Sequence, residues 1–152
     1  MKIFNFITIC TLLLLIACNS EQSKEIDPKL SNALIEEYKE ATKQDNIDGL
    51  MNLVYWENVQ DDVKEMMVNT SNAVLKHEFL SAEVVPMPED FETTYIRNGN
   101  KYGFKIEPFA KLIVQFNPEA EVHHMKKKEY FVTELNGKYI LTTVALLEEN
   151  VE

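Results

Sequence analysis

The rhythm of polar and apolar positions changes twice along the chain. Residues from Ile3 to Ala17 are almost wholly apolar, interrupted at Asn5 and Thr8, and Asn19 to Ile26 is short, polar and without period, as in a tether. From Asp27 onward the spacing is helical: Leu30, Ala33, Leu34, Tyr38 and Ala41 fall on one face, and Glu36, Glu37, Lys39 and Glu40 largely on the other. Asp27 is a natural cap and Pro28 suits the first helical position, where its missing N–H is harmless, so a helix is predicted from there to about Gln44. A shorter helix is predicted from a cap at Asp45 or Asn46, burying Ile47, Leu50, Met51 and Val54 ahead of Tyr55 and Trp56. A third is predicted from about Asn58 to Phe79, with Val59, Val63, Met66, Met67, Thr70, Val74 and His77 along one side. Its centre, Asn69 to Asn72, has weak helix propensity and allows a break.

After Leu80 the pattern becomes that of strands. Ser81 to Met87 is one, closed by Pro86 and Pro88; Phe91 to Arg97 is another, and Asn98-Gly99-Asn100 turns the chain into Lys101 to Ile106. Glu107-Pro108 then interrupts, because proline cannot donate to a ladder. Lys111 to Asn117 alternates, with Leu112, Val114 and Phe116 on one face and Lys111 and Gln115 on the other, and Asn117-Pro118-Glu119 turns. Val122 to Leu135 and Lys138 to Leu147 flank Asn136-Gly137, the strongest short-range hairpin signal. A two-residue loop there pairs Glu134 with Tyr139, Val132 with Leu141 and Tyr130 with Thr143. Helices at the front and antiparallel strands behind predict a single two-layered α+β domain over residues 27–147, followed by an acidic tail at 148–152.

Two passages add to this order of elements. The run Ala41-Thr42-Lys43-Gln44-Asp45-Asn46-Ile47-Asp48-Gly49-Leu50 and the hairpin Leu135-Asn136-Gly137-Lys138-Tyr139-Ile140-Leu141 resemble the nuclear transport factor 2-like superfamily. In that hairpin the superfamily commonly has Asp and Trp where this chain has Asn136 and Tyr139. The resemblance implies N-terminal helices filling the mouth of a cone made by a strongly curved antiparallel sheet; it speaks to fold rather than to function.

The first apolar run closes on Leu15-Ile16-Ala17-Cys18. It is short of the roughly 20 residues a membrane span needs. With a branched residue at Leu15 and a small one at Ala17 before Cys18, the stretch resembles the lipobox of a bacterial lipoprotein signal. The resemblance implies that residues 1–17 are a leader and that residues 18–26 are a lipidated cysteine and tether. Cys18 would be diacylated and would hold the domain to a bilayer of the cell envelope. Of the two cysteines, Cys10 would leave with that leader and Cys18 would carry lipid, so disulfides and thiolate chemistry are excluded from the folded part. The 152-residue chain carries a net charge of −10, from 15 basic and 25 acidic residues. Such a surface repels phosphate backbones and anionic lipid, which argues against nucleic-acid binding and leaves the acyl chains as the anchor.

Candidate chemistry is thin. Enzymes of the resembled superfamily, lyases and isomerases among them, use Asp, His and Tyr side chains within the cone. The corresponding material here is Tyr38, Asp61, Asp62, His77, Tyr95, His123 and Tyr130, in a spacing that brings no acid and base together. Core aromatics and helix-capping aspartates account for these residues more simply. Glu121 and His123 share a strand face and could hold a metal with His77, while His124 points the other way; solvated residues at a strand start are the plainer reading, and no metal or other cofactor is implied. Lys126, Lys127 and Lys128 read as edge-strand protection before they read as a docking patch. Trp56, Phe104, Phe116, Tyr130 and Tyr139 are the large side chains placed to line a ligand pocket. The expected function is that of a non-enzymatic envelope lipoprotein binding a small apolar ligand or a protein partner. The alternatives are a small lyase or isomerase, and an accessory subunit that forms a homodimer through its open sheet face.

Overall fold

The computed structural model describes residues 24–117 and 126–149, so the leader, Cys18, Glu121, His123, His124 and the end of the acidic tail lie outside the described residues. Helix α1 spans Pro28–Lys43. The Asp27 carboxylate accepts from the Lys29 and Leu30 amides at 2.7 and 3.4 Å, satisfying donors that have no partner within the helix. Its buried face is Ser31, Leu34, Tyr38, Ala41 and Thr42, whereas Ala33 is exposed. At about 100° per residue Ala33 stands about 100° from Leu34 and Ser31 only about 60°, so a stripe centred on Leu34 and Tyr38 takes in the serine. Helix α2, Ile47–Met51, is capped by Asn46, whose side chain accepts from the Gly49 amide at 2.9 Å.

Helix α3 spans Asp61–Val74, shorter at both ends than the sequence pattern suggests. Asn58 has φ of 58°, outside the right-handed helical region, so Val59 is buried ahead of the helix rather than within it. The weak centre does not break: Ser71 and Val74 are buried, and tertiary packing overrides propensity there. Phe79, expected to close this helix, instead opens strand β1, Phe79–Pro86.

Strand β2 is Thr94–Arg97, β3 Asn100–Phe104, β4 Ala110–Phe116, β5 Lys127–Leu135, β6 Lys138–Thr142 and β7 Val144–Glu148. They form two antiparallel sheets, ordered β1-β4-β5-β6 and β2-β3-β7. Phe91, expected in β2, lies before that strand and packs its ring on Phe131 at 5.2 Å. The single strand expected over Lys138 to Leu147 divides at Thr143: β6 pairs with β5 and β7 with β3. Glu134 faces Tyr139 and Val132 faces Leu141 as the hairpin geometry requires, but the ladder ends at Phe131 opposite Thr142, so Tyr130 and Thr143 are not paired.

Helix α1 covers the first sheet. Leu34 and Tyr38 pack with Leu112, Val114, Phe116, Val132 and Leu141, all nearly inaccessible, and each large apolar side chain so buried contributes roughly 1.5–3 kcal/mol relative to exposure. The outer edge of β6 is held by the chain after α2: the Leu141 amide donates to the Leu53 carbonyl at 2.7 Å, and the Leu141 carbonyl accepts from the Tyr55 amide at 2.8 Å. Helices on antiparallel sheets make this an α+β domain.

The hairpin turn rests on backbone conformation. Asn136 and Gly137 both have positive φ, 52° and 74°, as a twisted two-residue turn demands, and open space surrounds Gly137. Gly137→Val should therefore act through conformational strain alone. It should destabilise the domain by more than about 1 kcal/mol, read as a lower melting temperature; an unchanged one would contradict the turn.

Candidate functional site

The strand that leaves one sheet for the other opens a gap. Past Phe131, β5 has no partner on the β6 side, and α3 closes over the opening. The cavity beneath it measures about 180 Å³. Met66, Met67, Thr70 and Ser71 come from α3; Glu129, Tyr130 and Phe131 from β5; Thr142 and Thr143 from the bend. Met66 and Thr70 also border a neighbouring hollow of about 650 Å³ along α3, shared with Asp62, Glu65 and Lys128.

Thr142 is only 3 % exposed, and its Oγ1 has no hydrogen-bond partner. Other buried threonines are satisfied: Thr42 donates to the Tyr38 carbonyl at 2.8 Å and Thr133 to the Glu107 carbonyl at 3.1 Å. A buried hydroxyl left unpaired costs about 1–3 kcal/mol. Thr142 is among the residues around the cavity but its oxygen is sealed from that space; the rest of the lining is thioethers, hydroxyls, two aromatic residues and the Glu129 carboxylate.

Two phenols stand on the sheet side. The Tyr38 and Tyr130 hydroxyls lie 3.0 Å apart, either able to donate, with their rings tilted at 56°. Tyr130 also bonds Ser71, so a chain of hydroxyls runs from the core to the cavity wall. Burial pushes the Tyr38 phenol well above its ordinary range, and the neighbouring Tyr130 adds to the shift. Burial raises Tyr130 as well, against the lowering effect of its bonds to Tyr38 and Ser71. Both phenols are thus neutral at physiological pH. Glu129 is shifted the other way: hydrogen bonds from Lys127 and Lys111, at 2.7 and 3.3 Å, hold its carboxyl below the usual range. It is ionised and already engaged.

The five side chains expected to line a pocket do not converge. Tyr130 lines the cavity, and Phe104 reaches it indirectly through an edge-on contact with Phe131 at 4.9 Å. Phe116 is spent in the core. The Tyr139 hydroxyl accepts from the Asp27 amide at 2.8 Å, and its ring meets Phe109 edge-on at 5.1 Å. Trp56 donates its indole N–H to the Met51 carbonyl at 2.8 Å. Met66, Met67, Ser71 and Thr142 carry no large-side-chain signal. The polar pair Thr142-Thr143 within the apolar run from Tyr139 to Leu147 is the one sequence cue to the site.

The polar candidates scatter too. Asp61 pairs with Lys64 at 3.1 Å, and Asp62 accepts from the Val63 amide at 2.9 Å. His77 borders a separate hollow with Thr42 and Glu78, and Tyr95 stacks on Tyr102 at 5.4 Å. Among the described residues, no three His, Cys, Asp or Glu side chains converge as a metal site would require. Lys127 and Lys128 stand on β5, an interior strand flanked by β4, although its other side is open at those positions. Tyr95 and Ile96 on β2 are 45 % and 63 % exposed, and Met66 on α3 is 58 % exposed. No helix of the described residues is long and apolar enough to cross a membrane. No family model matches the chain, and neither does any curated protein or solved structure.

The phenol pair makes stability depend on alkaline pH. An ordinary phenol titrates near pH ~10; a folded-state value raised above that means the neutral phenols contribute stability that is complete below pH ~10 and lost as pH rises beyond it. Denaturant unfolding should show stability falling above about pH 10, with a shallower fall in Tyr38→Phe. Equal slopes for the two proteins would contradict the assignment.

Proposed function

We propose that this chain is an envelope lipoprotein, anchored through an acylated Cys18, whose domain binds a small, mainly apolar ligand beneath α3 and leaves it chemically unchanged. The observation that carries the reading is the space beneath α3 itself: about 180 Å³ walled by Met66, Met67 and Tyr130, with the hydroxyl-bearing side chains of Thr70, Ser71 and Thr143 around it. Small-ligand sites have this make-up, an apolar lining with a few placed polar groups that orient the guest. The titratable neighbours support binding over turnover. The phenols of Tyr38 and Tyr130 hold their protons, and the Glu129 carboxylate is committed to two lysines, so none is poised to take a proton at neutral pH.

The two sheets joined through the bend at Thr143 are read here as a curved sheet of the nuclear transport factor 2-like kind, with α3 over its opening. For the anchor, the support is the sequence Leu15-Ile16-Ala17-Cys18 and a following tether that reaches the cap of α1 at Asp27.

Two experiments test the reading separately. Mass spectrometry of the N-terminal peptide should find it beginning at Cys18 with a diacylglyceryl adduct, and Cys18→Ser should incorporate no labelled acyl chain; an unmodified Cys18 would contradict the anchor. For the cavity, solvent extracts of the purified protein should contain an apolar compound that Thr70→Phe, which fills the mouth of the cavity, no longer retains despite an unchanged melting temperature. Equal retention by the variant would contradict the site.

A further inference from the structure

We propose that strand β2 is a pairing edge on which a second copy of this chain docks, the two β2 strands running antiparallel about a two-fold axis at Tyr95.

The hairpin decides which backbone groups face outward. Asn98 and Gly99, with φ of 51° and 74°, make a two-residue turn, so the closing pair Arg97 and Asn100 exchanges both ladder hydrogen bonds. Bonding alternates along an antiparallel ladder. Tyr95 therefore bonds its opposite number Tyr102, and the amides and carbonyls of Thr94 and Ile96 point away from β3. On that side β2 has no neighbouring strand among the described residues, and all four of its residues are exposed.

Two other edges are closed. The outer edge of β6 is taken by Leu53 and Tyr55, and β1 carries Glu83 and ends on Pro86, a charge and a missing donor that discourage pairing. Strand β2 instead presents Tyr95 and Ile96, 45 % and 63 % exposed and both favoured in strands.

The edge fits itself. With Tyr95 on the axis, Thr94 of each copy lies opposite Ile96 of the other, and their outward groups make four backbone hydrogen bonds. This is the register that satisfies both outward residues in both chains without leaving the strand. Tyr95 then meets its twin at the close spacing of a non-hydrogen-bonded pair. The stack it already makes with Tyr102, at 5.4 Å and 16°, extends into a row of four rings. Charge matches as well: Arg97 falls opposite residue 93 of the second copy, beside Glu92, and both ions are exposed. An unrelated extended peptide would match the backbone alone, whereas a second copy brings the tyrosine pair and the ion pair with it.

Sedimentation equilibrium of the purified full chain in density-matched detergent tests this. One strand pair is an interface at the weak end of the size range, so dimers should predominate at ~100 µM chain and dissociate on dilution. Ile96→Pro removes an outward N–H and leaves the β3 ladder intact, so it should sediment as one chain with an unchanged far-ultraviolet circular dichroism spectrum. Tyr95→Cys should form an interchain disulfide on mild oxidation, beyond any seen in the unsubstituted chain, since the axis brings the two Cβ atoms to about 4.5–5.5 Å. Ile96→Cys should not, because its twin lies diagonally, about 7–8 Å away. A single-chain mass for the unsubstituted protein at that concentration would overturn the dimer, and a dimer that survives Ile96→Pro would overturn the edge. Cross-linking of Ile96→Cys in preference to Tyr95→Cys would overturn the axis. Cross-linking of Tyr95→Cys to a different protein, with the unsubstituted chain sedimenting alone, would give the edge to another partner and overturn the second copy. The cysteine pair tests the edge independently, so the result stands even if Ile96→Pro folds poorly.

Discussion

Residues 138–148 form a nearly continuous extended run that serves two sheets, and no residue of it pairs with both β5 and β3. Up to Thr142 it pairs with β5; from Val144 it pairs with β3, Phe104 opposite Val144 and Gly103 opposite Ala145. Thr143 lies between the two ladders. Within the second sheet the strands come close at Gly103, where a Cβ would meet Leu147, Thr94 and the Thr93 carbonyl at 2.8 Å. The rings of Phe91, Phe104 and Phe131 then bridge the sheets, with centroids 4.9 to 6.2 Å apart. Each such aromatic pair adds about 0.5–1.5 kcal/mol beyond the area it buries.

The gap beside β5 follows from that division, and what surrounds it keeps it from collapsing. On one side, α1 and the first sheet are packed without slack around Tyr38, Leu112, Val114 and Phe116. On the other, the chain at Leu53 to Tyr55 fixes β6 through two backbone hydrogen bonds to Leu141, which places Thr142 one residue further on. Helix α3 supplies flexible methionines and small hydroxyls over the opening rather than a large side chain that would fill it. Tyr130 is the joint between core and cavity, hydrogen-bonded to Tyr38 behind it and lining the space in front.

The local grammar of the chain was legible without coordinates. Asp27 and Pro28 begin a helix, Asn136-Gly137 makes a hairpin in the expected register, and the alternation of Leu112, Val114 and Phe116 marks the buried face of β4. The division at Thr143 was not legible, because Lys138 to Leu147 reads as one strand and its second half takes its partner from β3, far away in sequence. The site was hidden for a related reason. Reasoning from the largest side chains led to Phe116 and Tyr139, which packing consumes, whereas the cavity is lined by methionine, serine and threonine. A buried hydroxyl becomes conspicuous only when its lack of a partner is known, and that depends on every neighbouring element. Helix α3 shows the same limit, since its weak centre around Ser71 is stabilised by burial that local propensity does not report.

The most direct measurement is where a small apolar ring sits on the protein. With the chain saturated with toluene, intermolecular nuclear Overhauser effects should connect the ligand ring to the Met67 ε-methyl and the Tyr130 ring, since both line the gap left where the chain turns away from β5 after β6. Contacts confined to exposed apolar positions such as Ile96 or Leu80 would contradict it, because the ligand would then be held by open surface.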